Sequence, residues 1–461
     1  MCGVVKRPLD PAQPGGRQVD IHYAVIPALA RNKLPDPVFF FAGGPGQSAI
    51  DLAGAIAGQL SRMSNRRDIV LVDQRGTGRS APLQCADDDP ARPLGQQLDP
   101  ARQTAALLAC RDALKALPYG DLRMFTTTLA VQDIDAVRAA LGAERIDVMG
   151  VSYGTRVVLE YQRQFPQHVR RAVIDGVAPP DMALPASFST DNQAALDGWL
   201  DACERDAACN ARHPKLRARW QSMLAGLPKQ VTLVHPVTGQ PEAVTVTRDL
   251  VIAMVRAPLY LPAAAAALPQ AIDDASAGRF EGLAALASLL HGPRKTLALA
   301  EGMHFSVVCA EDAPRMASAP DRPGADFGDS FARQYREVCA VWPRGEVPAE
   351  FYRLASAQTA TLVLSGAIDP VTPPRHGERV AKALGAKARS IVVPNAGHGV
   401  GSIGCMRDVV YRFIEAESDS DALAVDARCM QGVPRPPAFV PIQPPAPASA
   451  ASAATVPGSA R

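Results

Sequence analysis

Apolar residues along this chain follow two different spacings. Short apolar runs of strand length stand at Val19 to Val25, Val38 to Phe41, Asp68 to Val72, Ile146 to Met149, Ala172 to Ile174, Thr361 to Leu364 and 390 to 393. Between the later runs the spacing changes to threes and fours. Ile134, Val137, Ala140 and Leu141 lead to Gly142, and Thr155 to Phe165 forms an amphipathic stretch that stops at Pro166. Further helices are predicted near Gly377 to Leu384 and from Met406 to Glu417. Strand and helix alternating over 1–180, and again over 351–432, predict one α/β unit with a mainly parallel, doubly wound sheet whose loops gather at the strand carboxyl ends. Residues 181–350 keep helical spacing with few buried strands ("AALDGWLDACERDAAC", "RDLVIAMVRAPLY", "LPQAIDDASAGRFEGLAALASLL") and predict a helical cap inserted over the site. Segment 433–461, rich in Pro, Ala and Ser, is expected to be disordered.

Composition narrows the class of partner. The chain has 461 residues, 47% of them apolar, enough for a large core and an insertion. Its net charge of +2 comes from 48 basic and 46 acidic residues mixed along the sequence. Without a basic run, neither nucleic acid nor an anionic membrane surface is an expected partner. No apolar run approaches the roughly 18 residues of a membrane helix. Nine cysteines fall largely in nearby pairs, Cys85 with Cys110, Cys203 with Cys209, Cys309 with Cys339 and Cys405 with Cys429, leaving Cys2 over. Such pairs read as disulfides of an oxidising compartment, with buried free thiols as the competing reading. "MCGVVKRPLD" has no charged segment followed by an apolar one, so an export signal is expected to be missing ahead of it. The expected location is periplasmic or secreted, with the cytoplasm as the alternative.

Candidate chemistry centres on "GVSYGTR" at 150–156, a Gly-x-Ser-x-Gly between a predicted strand and a predicted helix. A serine at so sharp a corner needs Gly150 and Gly154 for space, and it needs a histidine base held by an acid. His398 lies in a glycine-flanked loop after a strand ("IVVPNAGHGVG"), and Asp369 in a proline-rich turn after another ("TLVLSGAIDPVTPP"). The order Ser152, Asp369, His398 is that of the α/β-hydrolase triad. Asp147 and Asp175, at predicted strand ends, are the competing acids. "PVFFFAGGPGQS" offers backbone donors for an oxyanion, with Gly44 and the amide of Tyr153 as the expected pair. Asp73, in "DQRGTGRS", is expected to support the site, and His304 and His376 to serve packing or the surface. Trp199, Trp220 and Trp342 are expected to pack within the cap. The chain has no His-Glu-x-x-His and no phosphate-binding glycine loop, so neither a metal nor another cofactor is expected.

Taken together, "GGPG", "VDQRGTGRS", "GVSYGTR", "SGAIDPVTPP" and "GHG" resemble the prolyl aminopeptidase and tripeptidyl aminopeptidase family of α/β-hydrolases, from Cys2 to about Met430. Ala42 and Tyr153 stand where prolyl aminopeptidases usually have histidine and tryptophan, so the chain looks more similar to the tripeptidyl-type, secreted branch. The resemblance implies an α/β-hydrolase with a helical cap, and a serine aminopeptidase acting through an acyl-enzyme on a peptide or small amide. A carboxylesterase would use the same triad, and a non-catalytic binding module is the reading from another class. A free α-ammonium in a capped pocket needs an anion. Glu311 is the expected partner, with Asp312 and Glu301 behind it, because "EGMHFSVVCAEDAPR" resembles the corresponding cap segment of tripeptidyl-type relatives.

Overall fold

Runs such as VFFF at 38–41 and IVLV at 69–72 have no polar side to show to water, so each needs cover on both faces. The computed structural model, which describes residues 1–86, 89–288 and 299–441, supplies that cover. Eight strands form the main sheet: β1 (Cys2–Pro8), β2 (Gln18–Ile26), β3 (Val38–Phe41), β4 (Ile69–Val72), β5 (Ile146–Val151), β6 (Val169–Asp175), β9 (Thr361–Gly366) and β10 (Ala388–Val393). A separate hairpin holds β7 (Lys229–Val234) and β8 (Pro241–Val246). The sheet order is β1-β2-β4-β3-β5-β6-β9-β10. Pairs β1–β2 and β2–β4 are antiparallel, and the rest are parallel. From β3 the chain first pairs β4 on one side and then β5 on the other. The carboxyl ends of β3 and β5 therefore flank the point where the sheet order reverses, the place where such sheets hold ligands.

The period-two rule sorts the strand residues. Phe39, Phe41 and Val148 pack in one cluster with Ile134 and Val137 of helix Thr127–Ala140 and Val157 and Tyr161 of helix Tyr153–Gln164. Val38, Phe40 and Met149 face the other way, against Ile56 of helix Ala53–Gln59 and Val410 and Phe413 of helix Met406–Glu415. The fold is the doubly wound α/β arrangement read from the sequence. Strand β1 was absent from that reading. It is an edge strand with no fully buried residue, so its pattern carries little hydrophobic signal.

Between β6 and β9 the chain builds a second apolar cluster that includes Trp199, Trp220, Val255, Ile272 and Phe280. Three features differ from the expected helical cap. The β7–β8 hairpin lies within it and turns Leu233, Val244 and Val246 inward, as its β-branched alternation allows. Helices Glu301–Glu311 and Ser330–Val341 pack into the sheet's own cluster through Met303, Phe305, Val307 and Val338, so a cap boundary at 350 cuts through the core. Trp342 belongs to that same cluster and donates its Nε1–H to Ser306 Oγ at 3.1 Å. The helical run 268–290 was read two residues past the described segment, and 289–290 lie outside the described residues.

The tail also departs from expectation where it is described. The Asn395 amide donates to Val433 O (2.9 Å), the Arg435 guanidinium lies 4.4 Å over the Trp199 ring, and Phe439 N–H donates to Ala266 O (2.9 Å). Residues 433–441 thus run along the insertion, because this short stretch holds groups that pair even though the segment as a whole is apolar-poor. The remainder of the expected disordered tail, 442–461, lies outside the described residues. All four expected cysteine pairs are bonded, and Cys2 is free and exposed. Four disulfides fit an oxidising, extracytoplasmic compartment. Among the described residues, no helix is long and apolar enough to cross a membrane.

Candidate active site

Strand β5 ends in a turn that only close packing makes necessary. A Cβ on Gly150 would meet Gly154 O at 2.2 Å, and one on Gly154 would meet Phe41 O at 2.2 Å, so strand, turn and helix approach too closely for any side chain there. Ser152 between them has φ 58° and caps helix Tyr153–Gln164. That conformation costs a non-glycine residue about 1–3 kcal/mol and persists only where its surroundings impose it. Here Ser152 N–H donates to Asp175 O (2.9 Å), and Thr155 donates to Ser152 O from both N–H (2.9 Å) and Oγ1 (2.6 Å). The glycine loop after β3 lies against the same serine, since a Cβ on Gly43 would stand 3.7 Å from Ser152 Oγ. Gly43 N–H is taken by Gln47 Oε1 at 3.3 Å. No described residue accepts from the N–H of Gly44 or of Tyr153, which leaves two backbone donors beside the serine.

His398 and Asp369 meet across two loops. Asp369 Oδ2 is 2.8 Å from His398 Nδ1 and accepts from Thr372 Oγ1 at 2.7 Å, while Oδ1 accepts from the N–H of Val371 and Thr372, both at 2.9 Å. Burial works to raise the Asp369 pKa, but His398 and these donors outweigh it and hold the carboxyl below its ordinary range. Burial likewise opposes the imidazolium of His398, yet Asp369, and behind it Asp175, raise its pKa above the ordinary histidine value. The imidazole lies over the turn after β6, where a Cβ on Gly176 would be 3.2 Å from His398 Cε1. One residue further on, a Cβ on Gly399 would be 3.7 Å from Val151 Cγ1, next to the serine. Ser152, Asp369 and His398 thus stand at the carboxyl ends of β5, β9 and β10, on the same edge of the sheet.

The two competing acids have other partners. Asp147 sits near the start of β5, about 16 Å of strand from Ser152, where it pairs with Arg170 (2.7 Å) and Arg67 (3.5 Å). Asp175 stands at the site but accepts from the N–H of Val400 (2.8 Å) and Gly401 (2.7 Å), which fixes the loop that carries His398. Burial pushes its pKa up to about 6. Asp73 has the supporting role expected of it: Oδ1 accepts from Ser48 Oγ (2.7 Å) and Ile50 N–H (3.1 Å), tying down the chain after the glycine loop.

Several contributors escaped the sequence reading. Thr372 Oγ1 is 3.0 Å from His398 Nδ1 as well as bonded to Asp369. Tyr260, from the insertion, accepts His398 N–H on its carbonyl (3.2 Å) and sets its ring edge-on to the imidazole at 5.4 Å. His304 lies 3.1 Å from Pro45 O through Nδ1 and 2.7 Å from Tyr335 OH through Nε2, directly behind the glycine loop. Burial lowers its pKa to about 4, so it is neutral at physiological pH. His376 is buried, with Nε2 2.9 Å from Asp191 Oδ2. Apart from the Thr372–Asp369 bond, each of these contacts joins segments distant in sequence, so no local pattern announces it.

The expected ammonium partners need correction. Glu311 is 1% exposed, and its oxygens are taken by Thr127 N–H (2.7 Å), Thr127 Oγ1 (3.0 Å) and Arg156 Nη1 (3.2 Å). Asp312 holds the same guanidinium through two contacts of 3.0 Å and accepts Leu184 N–H at 3.0 Å. Thr127 Oγ1 is also 2.6 Å from Tyr153 OH. Burial first, and Asp312 second, raise the Glu311 pKa to about 7 against the pull of Arg156. These two acids form a sealed network beneath the serine turn, because a buried arginine requires them there. Of the three candidate acids only Glu301 is exposed. It opens helix Glu301–Glu311 next to Ala300, whose N–H donates to Gly46 O (2.8 Å) of the glycine loop.

A family model described as the alpha/beta hydrolase fold matches residues 36–401. The chain is 30% identical over 225 residues to a tripeptidyl aminopeptidase of Streptomyces lividans, a match covering 46% of this chain and 42% of that relative. It therefore spans less than half of that relative's length in the match. It is 26% identical over 423 residues to the serine protease Hip1 of Mycobacterium tuberculosis (83% and 79% covered) and 28% identical over 420 residues to carboxylesterase B of the same organism (84% and 78% covered). Among solved structures, a proline iminopeptidase of Mycobacterium smegmatis aligns with TM-score 0.39 at 18% identity, covering 92% of this chain and 100% of that one. With the family match running from just before β3 to the loop just after His398, the chain belongs to the α/β-hydrolase family.

Proposed function

We propose that the protein is a serine aminopeptidase in which Ser152 attacks the carbonyl carbon, His398 carries the proton to the leaving group, and Asp369 orients the imidazole. Gly44 N–H and Tyr153 N–H receive the oxyanion, and the insertion caps the site. The observation that carries the reading is the juxtaposition at the strand ends: a serine at positive φ, two unengaged amides beside it, and a histidine raised in basicity by an aspartate 2.8 Å away. In this arrangement the Ser152 proton passes to His398 Nε2 as the Oγ–C bond forms. The same proton then goes to the departing amine, and water repeats the sequence to free the acyl group. Peptidase names among the relatives favour amide over ester substrates, and the disulfides support a periplasmic or secreted site of action.

Glu301 is the acid best placed to meet a free α-ammonium, since it stands at the loop rather than under it. An esterase reading has its own support in the carboxylesterase B relative, which matches 84% of the chain. Rates on free-amine tripeptidyl amides, their N-acetyl counterparts and short-chain esters separate the two. Faster turnover of the free amines, with Glu301→Gln removing that advantage, supports the aminopeptidase, whereas turnover of esters alone overturns it. Labelling by a fluorophosphonate, lost in Ser152→Ala, is the test of the nucleophile.

A further inference from the structure

Arg256, among the described residues, is a cation held by aromatic rings without an anion. It lies on helix Arg248–Leu259 of the insertion, four residues before Tyr260, whose ring and carbonyl both touch His398. Residues four apart on a helix share a face, with Cβ atoms about 5–6 Å apart, and Tyr260 continues the helical backbone at φ −62° and ψ −30°. Arg256 therefore shares a face with Tyr260, the residue that touches the imidazole. Its Cζ is 4.4 Å from the Phe331 ring centroid and 5.9 Å from that of Phe188. The Phe331 ring is 5.1 Å from Tyr335, which joins through His304 to Pro45 of the glycine loop. The guanidinium thus stands on a chain of ring contacts that leads through Tyr335 and His304 to the glycine loop, and its charge is felt by His304.

The fully buried arginines have partners, Arg67 with Asp36 among them. Arg156 has Glu311 and Asp312, Arg75 has Asp133, and Arg171 caps the carbonyls of Phe413, Ile414, Ala416 and Ser418. Arg256 is partly buried, and among the described residues it makes no hydrogen bond and no ion pair, only ring contacts. Ring faces stabilise a guanidinium without using its N–H groups, so all five remain free in a plane suited to a carboxylate.

We propose that Arg256 is a specificity residue that binds a carboxylate of the substrate, either the C-terminus of a short peptide or an acidic side chain. The proposal rests on the serine-hydrolase reading of the site and adds the substrate class. A forked, charge-assisted contact in a half-dry pocket contributes roughly 10- to 100-fold in kcat/KM.

Paired substrates test it: a short peptide amide substrate with a free C-terminus against its C-terminal amide, and one with Glu against Gln at a single position. The wild type should prefer the acid of one pair by roughly 10- to 100-fold, and the pair that discriminates identifies which carboxylate is bound. Arg256→Met, which keeps an apolar body on Phe331, should bring that acid-to-amide ratio to about one, and Arg256→Lys should restore part of it. No preference in either pair, or a preference that survives Arg256→Met, overturns the proposal. Binding of the same uncleaved pairs to Ser152→Ala, with and without Arg256→Met, reads the arginine independently of turnover. Discrimination in binding without cleavage by the wild type would uphold the arginine and sink the aminopeptidase. Cleavage without discrimination would do the reverse.

Discussion

Two buried clusters in this molecule share one plan, a pair of carboxylates around one cationic side chain. Beneath the serine turn, Glu311 and Asp312 surround Arg156. Above it, Asp369 and Asp175 surround His398, the first by a direct contact and the second through its charge and the loop it holds. The lower one is sealed while the upper one leaves an edge of His398 exposed, but both use backbone donors to complete the carboxylates, and both connect segments far apart in sequence. They differ in the central group. A guanidinium stays charged at every pH that matters, so its cluster can only hold things in place. An imidazole can give up its proton near neutrality, so the same surroundings tune a base instead. One cluster anchors helix Tyr153–Gln164, and the other faces the serine at the start of that helix.

If this contrast is right, substitutions in the two clusters should divide cleanly between rate and stability. The largest effect belongs to Asp369→Asn. Losing the anion that fixes the imidazole should lower kcat by about 10⁴-fold, while urea unfolding moves little. A comparable collapse in stability would mean that Asp369 is chiefly structural. Arg156→Met is the converse. It strands two buried carboxylates and should cost about 3–5 kcal/mol of stability, read as a lower midpoint in thermal or urea unfolding, with the remaining folded protein still labelled by a fluorophosphonate. An unfolding midpoint within a degree of wild type would remove the anchoring role.

A smaller effect lies in the pH profile. His398 must be neutral to accept the serine proton, and Asp369 and Asp175 both favour its charged form, so kcat/KM should rise with pH through a value above that of an ordinary histidine. Asp175→Asn removes one of these charges and should move the rising limb to lower pH by less than about one unit. A limb that stays put would confine Asp175 to holding the loop. The smallest effect concerns Glu311. Its folded pKa of about 7 lies above the ordinary 4.5, so the folded state binds the proton more tightly than the unfolded chain does. The stability it contributes is fully present below about pH 4.5 and is lost as pH rises through about 7. Glu311→Gln should flatten that part of the stability profile and change rates equally on N-blocked and free-amine substrates. A loss confined to free amines would restore Glu311 as an ammonium partner.

The grouping of the upper cluster was legible in the sequence, and that of the lower one was not. Ser152 could be found because its turn makes local demands, two glycines between a strand and a helix, that appear as consecutive letters. Asp369 and His398 could be found because each sits in a loop marked by Gly and Pro after an apolar run. Glu311 was misread because nothing local reveals that Arg156, 155 residues earlier, occupies it. The same applies to Thr372, Asp175 and Tyr260, whose contacts with His398 or its loop are long-range products of the fold. The sheet was readable wherever strands are buried on both faces. It was not readable at β1, where one edge strand shows a weak alternation, nor at the β7–β8 hairpin, whose short strands lie inside a helical region.

The carbonyl of Tyr260 accepting the His398 N–H has an evolutionary and engineering consequence. Insertions at this place in a sheet are often treated as interchangeable parts, traded to change substrate while the chemistry stays behind. In this chain the trade is not free, because a main-chain atom of the insertion holds the loop that carries His398, the proposed base. A donor segment grafted between β6 and β9 must present a carbonyl at the same point, whatever side chains it brings. Recombination at this junction is therefore filtered by backbone geometry before it is filtered by specificity.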